Sequence, residues 1–124
     1  MKIYTIGGYS EVGKNMTLVE THGKGFMFDG GLYLPPIVEL EKEKREYTEK
    51  KLREIEAIPN DEIAREKKVK EILISHAHLD HVGALPYLEK YYSAKINGTP
   101  FTIEVFNSLM RDLGIKSKNK VRKI

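Results

Sequence analysis

Apolar and polar residues alternate from Lys2 to Ile6, which predicts a short strand broken by Gly7-Gly8. Met16 to Thr21 reads as a second strand and Gly25 to Phe28 as a third, with His22-Gly23-Lys24 supplying hairpin chemistry between them. Asp29-Gly30-Gly31 then closes the third strand in a flexible turn. Three short strands in succession predict a meander forming one layer of a sheet.

Pro35-Pro36 stops extended structure ahead of a charged stretch from Glu39 to Glu56. Acid-first i, i+4 pairs at Glu41/Arg45, Glu46/Lys50 and Glu49/Arg53 favour a helix, while Tyr47, Leu52 and Ile55 give it only a thin apolar stripe. The reading is an exposed surface helix ended by Pro59-Asn60, its mixed charges marking a solvated face. Val69 to Ser75 is a buried strand, followed by a histidine-rich turn, a helix from about Val82 to Tyr92 and a short strand at Lys95-Ile96-Asn97. Thr99 caps a last helix with Pro100 at its first position and Gly114 at its end. Phe101, Val105, Leu109 and Leu113 line one face of it, with Phe106 and Met110 beside them.

The 124 residues are 40% hydrophobic and 31% charged, a balance for one globular domain rather than a disordered chain. No apolar run approaches a membrane span and the start lacks a secretory pattern, so a cytoplasmic location without membrane association is expected. With no cysteine, a metal here must be held by histidine and carboxylate. The net charge of +3 is uneven: from Arg111 onward there are six basic residues and one acid. Such an end can attract nucleic acid, although a solvated or frayed terminus is the plainer reading.

Chemistry concentrates in His76-Ala77-His78-Leu79-Asp80-His81, between a buried strand and a helix. His76 and His78, two apart in extended backbone, point to one side and can share one metal. Asp80 and His81 follow where the chain reverses and can address a second position. Imidazole and carboxylate donors suit zinc. A lone histidine would be an ordinary surface group; three with an aspartate in six residues point to a metal.

This motif resembles the signature of the metallo-β-lactamase superfamily, and further segments are similar to its ribonuclease J-like, β-CASP branch. These are Gly7-Gly8-Tyr9-Ser10-Glu11-Val12-Gly13-Lys14-Asn15-Met16, Phe28-Asp29-Gly30-Gly31, Ile74 through Leu88, and Gly98-Thr99-Pro100-Phe101-Thr102. The resemblance implies an α/β (α+β) fold: the N-terminal half of an αββα sandwich, one mainly antiparallel or mixed sheet with flanking helices. Residues 1–124 would be a partial metallo-β-lactamase domain carrying a charged helical insertion at about 37–66 and no β-CASP domain. His76 and His78 would ligate one zinc and Asp80 and His81 another, with Asp80 also orienting the attacking water. Asp29 would orient a metal-bound histidine, and Glu11 and Asn15 would lie at the rim; His22 matches no ligand and reads as surface.

The implied activity is two-zinc hydrolysis of RNA phosphodiesters, as a 5′–3′ exonuclease, an endonuclease or both. The resemblance also implies ligands that these residues do not contain. The chain alone is therefore expected to bind zinc weakly, to show little nuclease activity, and to self-associate or take a complementing C-terminal half across an uncovered sheet face. A cleavage-and-polyadenylation-type endonuclease, a small-ester hydrolase of the same superfamily and a non-catalytic chain that needs a partner remain as alternatives.

Overall fold

The computed structural model describes residues 1–42 and 47–124. Among them, six strands form one sheet in chain order: β1 (Lys2–Gly7), β2 (Met16–Thr21), β3 (Lys24–Phe28), β4 (Val69–Leu73), β5 (Lys95–Gly98) and β6 (Val121–Lys123). The first three are the expected antiparallel meander, and β3 through β6 run parallel. The β2–β3 hairpin closes on His22 and Gly23 at φ 51° and 73°, the left-handed pair that a two-residue turn needs.

Helical segments fill the parallel connections. They are α1 (Leu34–Lys42), α2 (Glu49–Glu54) and α3 (Glu62–Arg65) before β4, α4 (Leu79–Val82) and α5 (Leu85–Leu88) before β5, and α6 (Pro100–Asp112) before β6. They cover one face of the sheet. Leu18, Met27, Ile72 and Ile96 on that face are fully buried with Leu85, Leu88, Ile103 and Phe106. The opposite face carries the rows Ile3–Val19–Phe26 and Thr17–Phe28–Leu73. Among the described residues Tyr9 reaches over it to hydrogen-bond Thr17, and Ile3 and Phe28 remain 60% and 40% exposed.

Several expectations need correction. The proline pair ends extended structure as expected, but the helix already begins with it: both prolines occupy the first turn of α1, where backbone N–H groups lack helical partners anyway. The single charged helix is replaced by α1 and by a short α2 that Thr48 caps, its hydroxyl accepting from Lys51 N at 3.1 Å. The pairs Glu41/Arg45 and Glu46/Lys50 lie outside the described residues; the Arg53–Glu49 pair is present at 3.0 Å. Nor does this segment merely lie on the surface, because Leu52 is only 1% exposed and Ala57, Ile58 and Ala64 join the core.

The helix expected over 82–92 is broken into α4, α5 and a 3-10 turn at Glu89–Tyr91. The cause is local: Ala84 N and Leu85 N both donate to Gly30 O, at 2.8 and 3.1 Å, and are lost to a continuous helical ladder. In α6, Thr99 caps the start and Gly114, at φ 68°, closes the end as expected. Its inward face is Ile103, Phe106 and Met110, leaving Phe101 72% exposed. The basic terminus is not frayed, since β6 extends the sheet and Arg122 Nε donates to Asn97 Oδ1 at 2.7 Å.

Candidate metal centre

Because β3 and β4 are parallel neighbours, their C-terminal ends emerge side by side. Asp29 follows one and Ser75-His76 the other, so residues 46 apart in sequence meet directly. Asp29 is the expected turn residue, but the turn is not flexible. Asp29 N donates to Leu73 O (2.9 Å), Gly30 N to His81 O (2.8 Å) and Leu32 N to Leu79 O (2.9 Å). From the other side, Asn15 N donates to Asp80 O (3.2 Å) and Gly31 N to Asn15 O (3.0 Å). Three separate segments, 14–15, 29–32 and 79–85, are thus stitched together. Gly31 is required there: a Cβ on it would lie 1.7 Å from Asp80 O.

This backbone frame brings His76, Asp80 and His81 together, with one potential ligand atom from each lying within 4.8 Å of the others. All three are half-buried, which suits groups that must meet both protein and solvent. His78 stands outside this trio. It is exposed, its ring sits edge-on to that of His76 with centroids 4.8 Å apart, and its carbonyl accepts from His81 N and Val82 N to start α4.

Asp29 sits at φ 67°, a left-handed conformation that aspartate tolerates better than most residues. Its carboxylate accepts three hydrogen bonds, from Ser75 N (2.7 Å), Ser75 Oγ (2.8 Å) and His81 Nδ1 (2.8 Å). A carboxylate only accepts, so His81 carries its proton on Nδ1 and keeps a free lone pair on Nε2. Asn15 agrees with this tautomer: its Nδ2 donates to Asp80 O at 2.8 Å and lies 3.4 Å from His81 Nε2. Ser75 Oγ, having given its hydrogen to Asp29, is an acceptor 3.1 Å from His76 Nδ1. That leaves His76 Nε2 free as well. With the Asp80 carboxylate, which lies 3.6 Å from His81 Nε2, the donor set fits a divalent cation.

Among the other candidates, Asn15 touches the trio and Glu11 does not. Glu11 Oε1 accepts from Gly8 N at 3.1 Å and pairs with Lys14 at 3.9 Å. His22 is exposed in its hairpin. Sequence reasoning missed Ser75, whose hydroxyl links Asp29, His76 and His81; its position directly before His76 at a strand end was the available signal.

Residues 9–103 match the metallo-beta-lactamase superfamily, which is most of the chain. The chain belongs to that superfamily. It is also similar to ribonuclease J of Pyrococcus abyssi, 46% identical over 110 residues, covering 87% of this chain and 24% of that protein. Similarity to ribonuclease J of Methanocaldococcus jannaschii is 42% over 108 residues, covering 85% and 24%. The chain therefore spans about a quarter of the length of these curated relatives. Among solved structures, human tRNase Z, short form, aligns with a TM-score of 0.52 over 96% of this chain and 42% of its own, at 15% identity, a likeness of fold alone. The superfamily generally binds metal ions, and its mixed sheet with flanking helices is the architecture described above.

Proposed function

We propose that this chain supplies part of the catalytic centre of a metal-dependent hydrolase of RNA phosphodiesters, of the ribonuclease J type. The observation that carries the reading is the trio His76, Asp80 and His81, with Asp29 and Ser75 fixing both imidazoles in the tautomer that leaves Nε2 open. The names of the relatives support RNA as the substrate class. Zinc is the cation proposed, as two ions in the complete centre. Bound there, it would supply Lewis acidity, lowering the pKa of water and steadying charge on phosphoryl oxygens.

The chain's own residues would do the positioning. His76 and His81 donate lone pairs, and Asp29 and Ser75 stop their rings from turning. Asp80 offers one carboxylate oxygen as a ligand and the other to orient water. His78, whose ring centroid lies 4.8 Å from that of His76, is proposed as an additional donor. Two catalytic cations ordinarily take more protein ligands than these four residues provide. The remaining ligands are therefore proposed to come from structure packed on the uncovered sheet face of Ile3, Val19, Phe26 and Phe28.

The test is zinc titration by calorimetry together with cleavage of a labelled single-stranded RNA. The reading expects one weak site on this chain, at least tenfold weaker in His81→Ala, and little cleavage. Two tight sites with rapid cleavage would overturn the idea of a shared centre, and no zinc binding at all would overturn the metal centre itself.

A further inference from the structure

The end of the sheet opposite the histidines carries a concentration of charge that the metal site does not use. Lys70 is the second residue of β4, Lys95 begins β5 and Lys120 immediately precedes β6; because these strands are parallel, all three lie at one edge of the sheet. Lys68 precedes them in the β4 approach and Lys118 in the β6 approach. All five lysines are exposed, and among the described residues none of them makes an ion pair. They line two adjoining hollows of about 370 and 190 Å³ that share Lys70 and Ser93 and have no acidic residue in their walls. Arg65 and Tyr91 border the second hollow, with the guanidinium 3.7 Å from the ring centroid.

The patch is built rather than accidental. Glu89, only 2% exposed, accepts from Ser117 Oγ (2.8 Å), Lys118 N (3.0 Å) and Asn119 Nδ2 (2.9 Å). Asn119 Oδ1 in turn accepts from Ala94 N at 2.8 Å. A buried carboxylate thus holds the turn that presents Lys118 and Lys120 beside Lys95. The nearby acids have other partners: Glu71, across from Lys95, accepts from Asn97 Nδ2 at 2.8 Å, Glu20 pairs with Lys67 at 3.6 Å, and buried Asp61 is held by Arg53, Arg65 and Tyr92. Five unneutralised ammonium groups at one edge repel one another unless a polyanion lies across them.

We infer that this edge is a second nucleic-acid contact, which holds the phosphate backbone of single-stranded RNA away from the metal centre. The choice of RNA over another polyanion rests on the function proposed above; the patch itself rests on its own geometry. From Lys70 to His76 the chain runs roughly 20 Å at the rise of a strand, so one strand of RNA could engage both ends. Arg65 and Tyr91 offer a planar surface at the margin for an unstacked base.

Binding of a labelled single-stranded oligoribonucleotide to the full chain, followed by fluorescence anisotropy in EDTA, tests this. Each phosphate contact adds about 0.7 to the slope of log affinity against log salt, so five contacts give a slope of about −3.5. The Lys70→Ala/Lys95→Ala/Lys120→Ala variant should lower that slope by about 2 and weaken binding at least tenfold. Its zinc affinity and circular dichroism should not change. The same loss of charge at Lys50, Lys51 and Lys123, on α2 and at the other end of β6, is the control and should change binding less than threefold. Equal effects in both triple variants would overturn the inference, as would preference for phosphatidylserine vesicles over RNA. Loss of zinc binding in His81→Ala with RNA affinity in EDTA intact supports the patch independently. A wild-type chain that binds RNA here but never binds zinc would sink the proposed function alone.

Discussion

Asp29→Asn isolates what the carboxylate does for His81. Asparagine has the same shape and tolerates the left-handed backbone at φ 67°, so the frame should survive. Its Oδ1 can still accept from Ser75 N, now 2.7 Å from Asp29 Oδ1. That leaves an NH2 group against His81 Nδ1, where the native distance is 2.8 Å. Two donors then face each other unless His81 moves its proton to Nε2. Moving it places a second N–H before Asn15 Nδ2, but at 3.4 Å and on the more open side. Asn15 can also retain its better bond to Asp80 O at 2.8 Å. The Nε2 side is the weaker obstacle, so the tautomer should switch. The lone pair needed for a metal is then lost, and affinity should fall about 100-fold, or about 2.7 kcal/mol. Flipping the amide instead would set NH2 against Ser75 N–H, leaving a donor there unsatisfied at about 1–3 kcal/mol. Nitrogen-15 NMR of the imidazole reads the tautomer without any metal, and calorimetry reads zinc affinity. A variant that keeps the Nδ1–H form and binds zinc within threefold of the native chain would refute the reasoning.

Five further outcomes follow from the same geometry. Gly31→Ala should lower stability by about 3 kcal/mol in urea unfolding, because its Cβ meets Asp80 O at 1.7 Å. Gly23→Ala, with open space around it, should lose only about 1 kcal/mol to its positive φ. Leu52→Ala should destabilise the chain by about 2–4 kcal/mol although it lies in the most charged stretch, since Leu52 is 1% exposed; a loss below 0.5 kcal/mol would show that the segment is peripheral. Burial opposes ionisation of Glu49, but hydrogen bonds from Tyr91, Lys90 and Arg53 outweigh it and hold its pKa near about 2 against an ordinary 4.5. A lowered carboxylate pKa stabilises the fold above the ordinary value, so this contribution should fade as pH falls from 4.5 toward 2 and be missing in Glu49→Gln across acid unfolding curves. Ile3→Lys should reduce self-association of the chain in sedimentation velocity, as it places a charge on the uncovered sheet face.

Sequence periodicity located the first five strands because most are short apolar runs bounded by glycine or a charged turn, as in Met16–Thr21 and Val69–Leu73, but missed β6, whose Val-Arg-Lys carries no such pattern. It failed where tertiary hydrogen bonds override local preference. Nothing near Ala84 and Leu85 announces that their N–H groups will turn to Gly30 O, 54 and 55 residues earlier, and break a helix. The inward face of α6 was legible as amphipathic but not in its rotation, since Phe101 and Phe106 are equally apolar in one dimension. The four motif residues stood out by spacing alone. The part of Ser75 did not, because a serine at a strand end is unremarkable until Asp29 arrives beside it.

That meeting follows from where the sheet changes direction. β1 to β3 are antiparallel, so the Asp29 turn exits β3 at the end where β4, its parallel neighbour, also finishes. Ligand sites in such sheets gather at the carboxyl ends of strands because connecting loops converge there. Here the convergence also fixes chemistry. The carboxylate that follows one strand reads the proton on an imidazole reached from the next, and the hydroxyl between them relays the same choice to His76. An antiparallel β3–β4 pair would send Asp29 and Ser75 to opposite ends of the sheet, leaving the imidazoles free to rotate and to take either tautomer. The change from meander to parallel sheet at β3 is therefore what turns a histidine-rich loop into an ordered set of potential ligands.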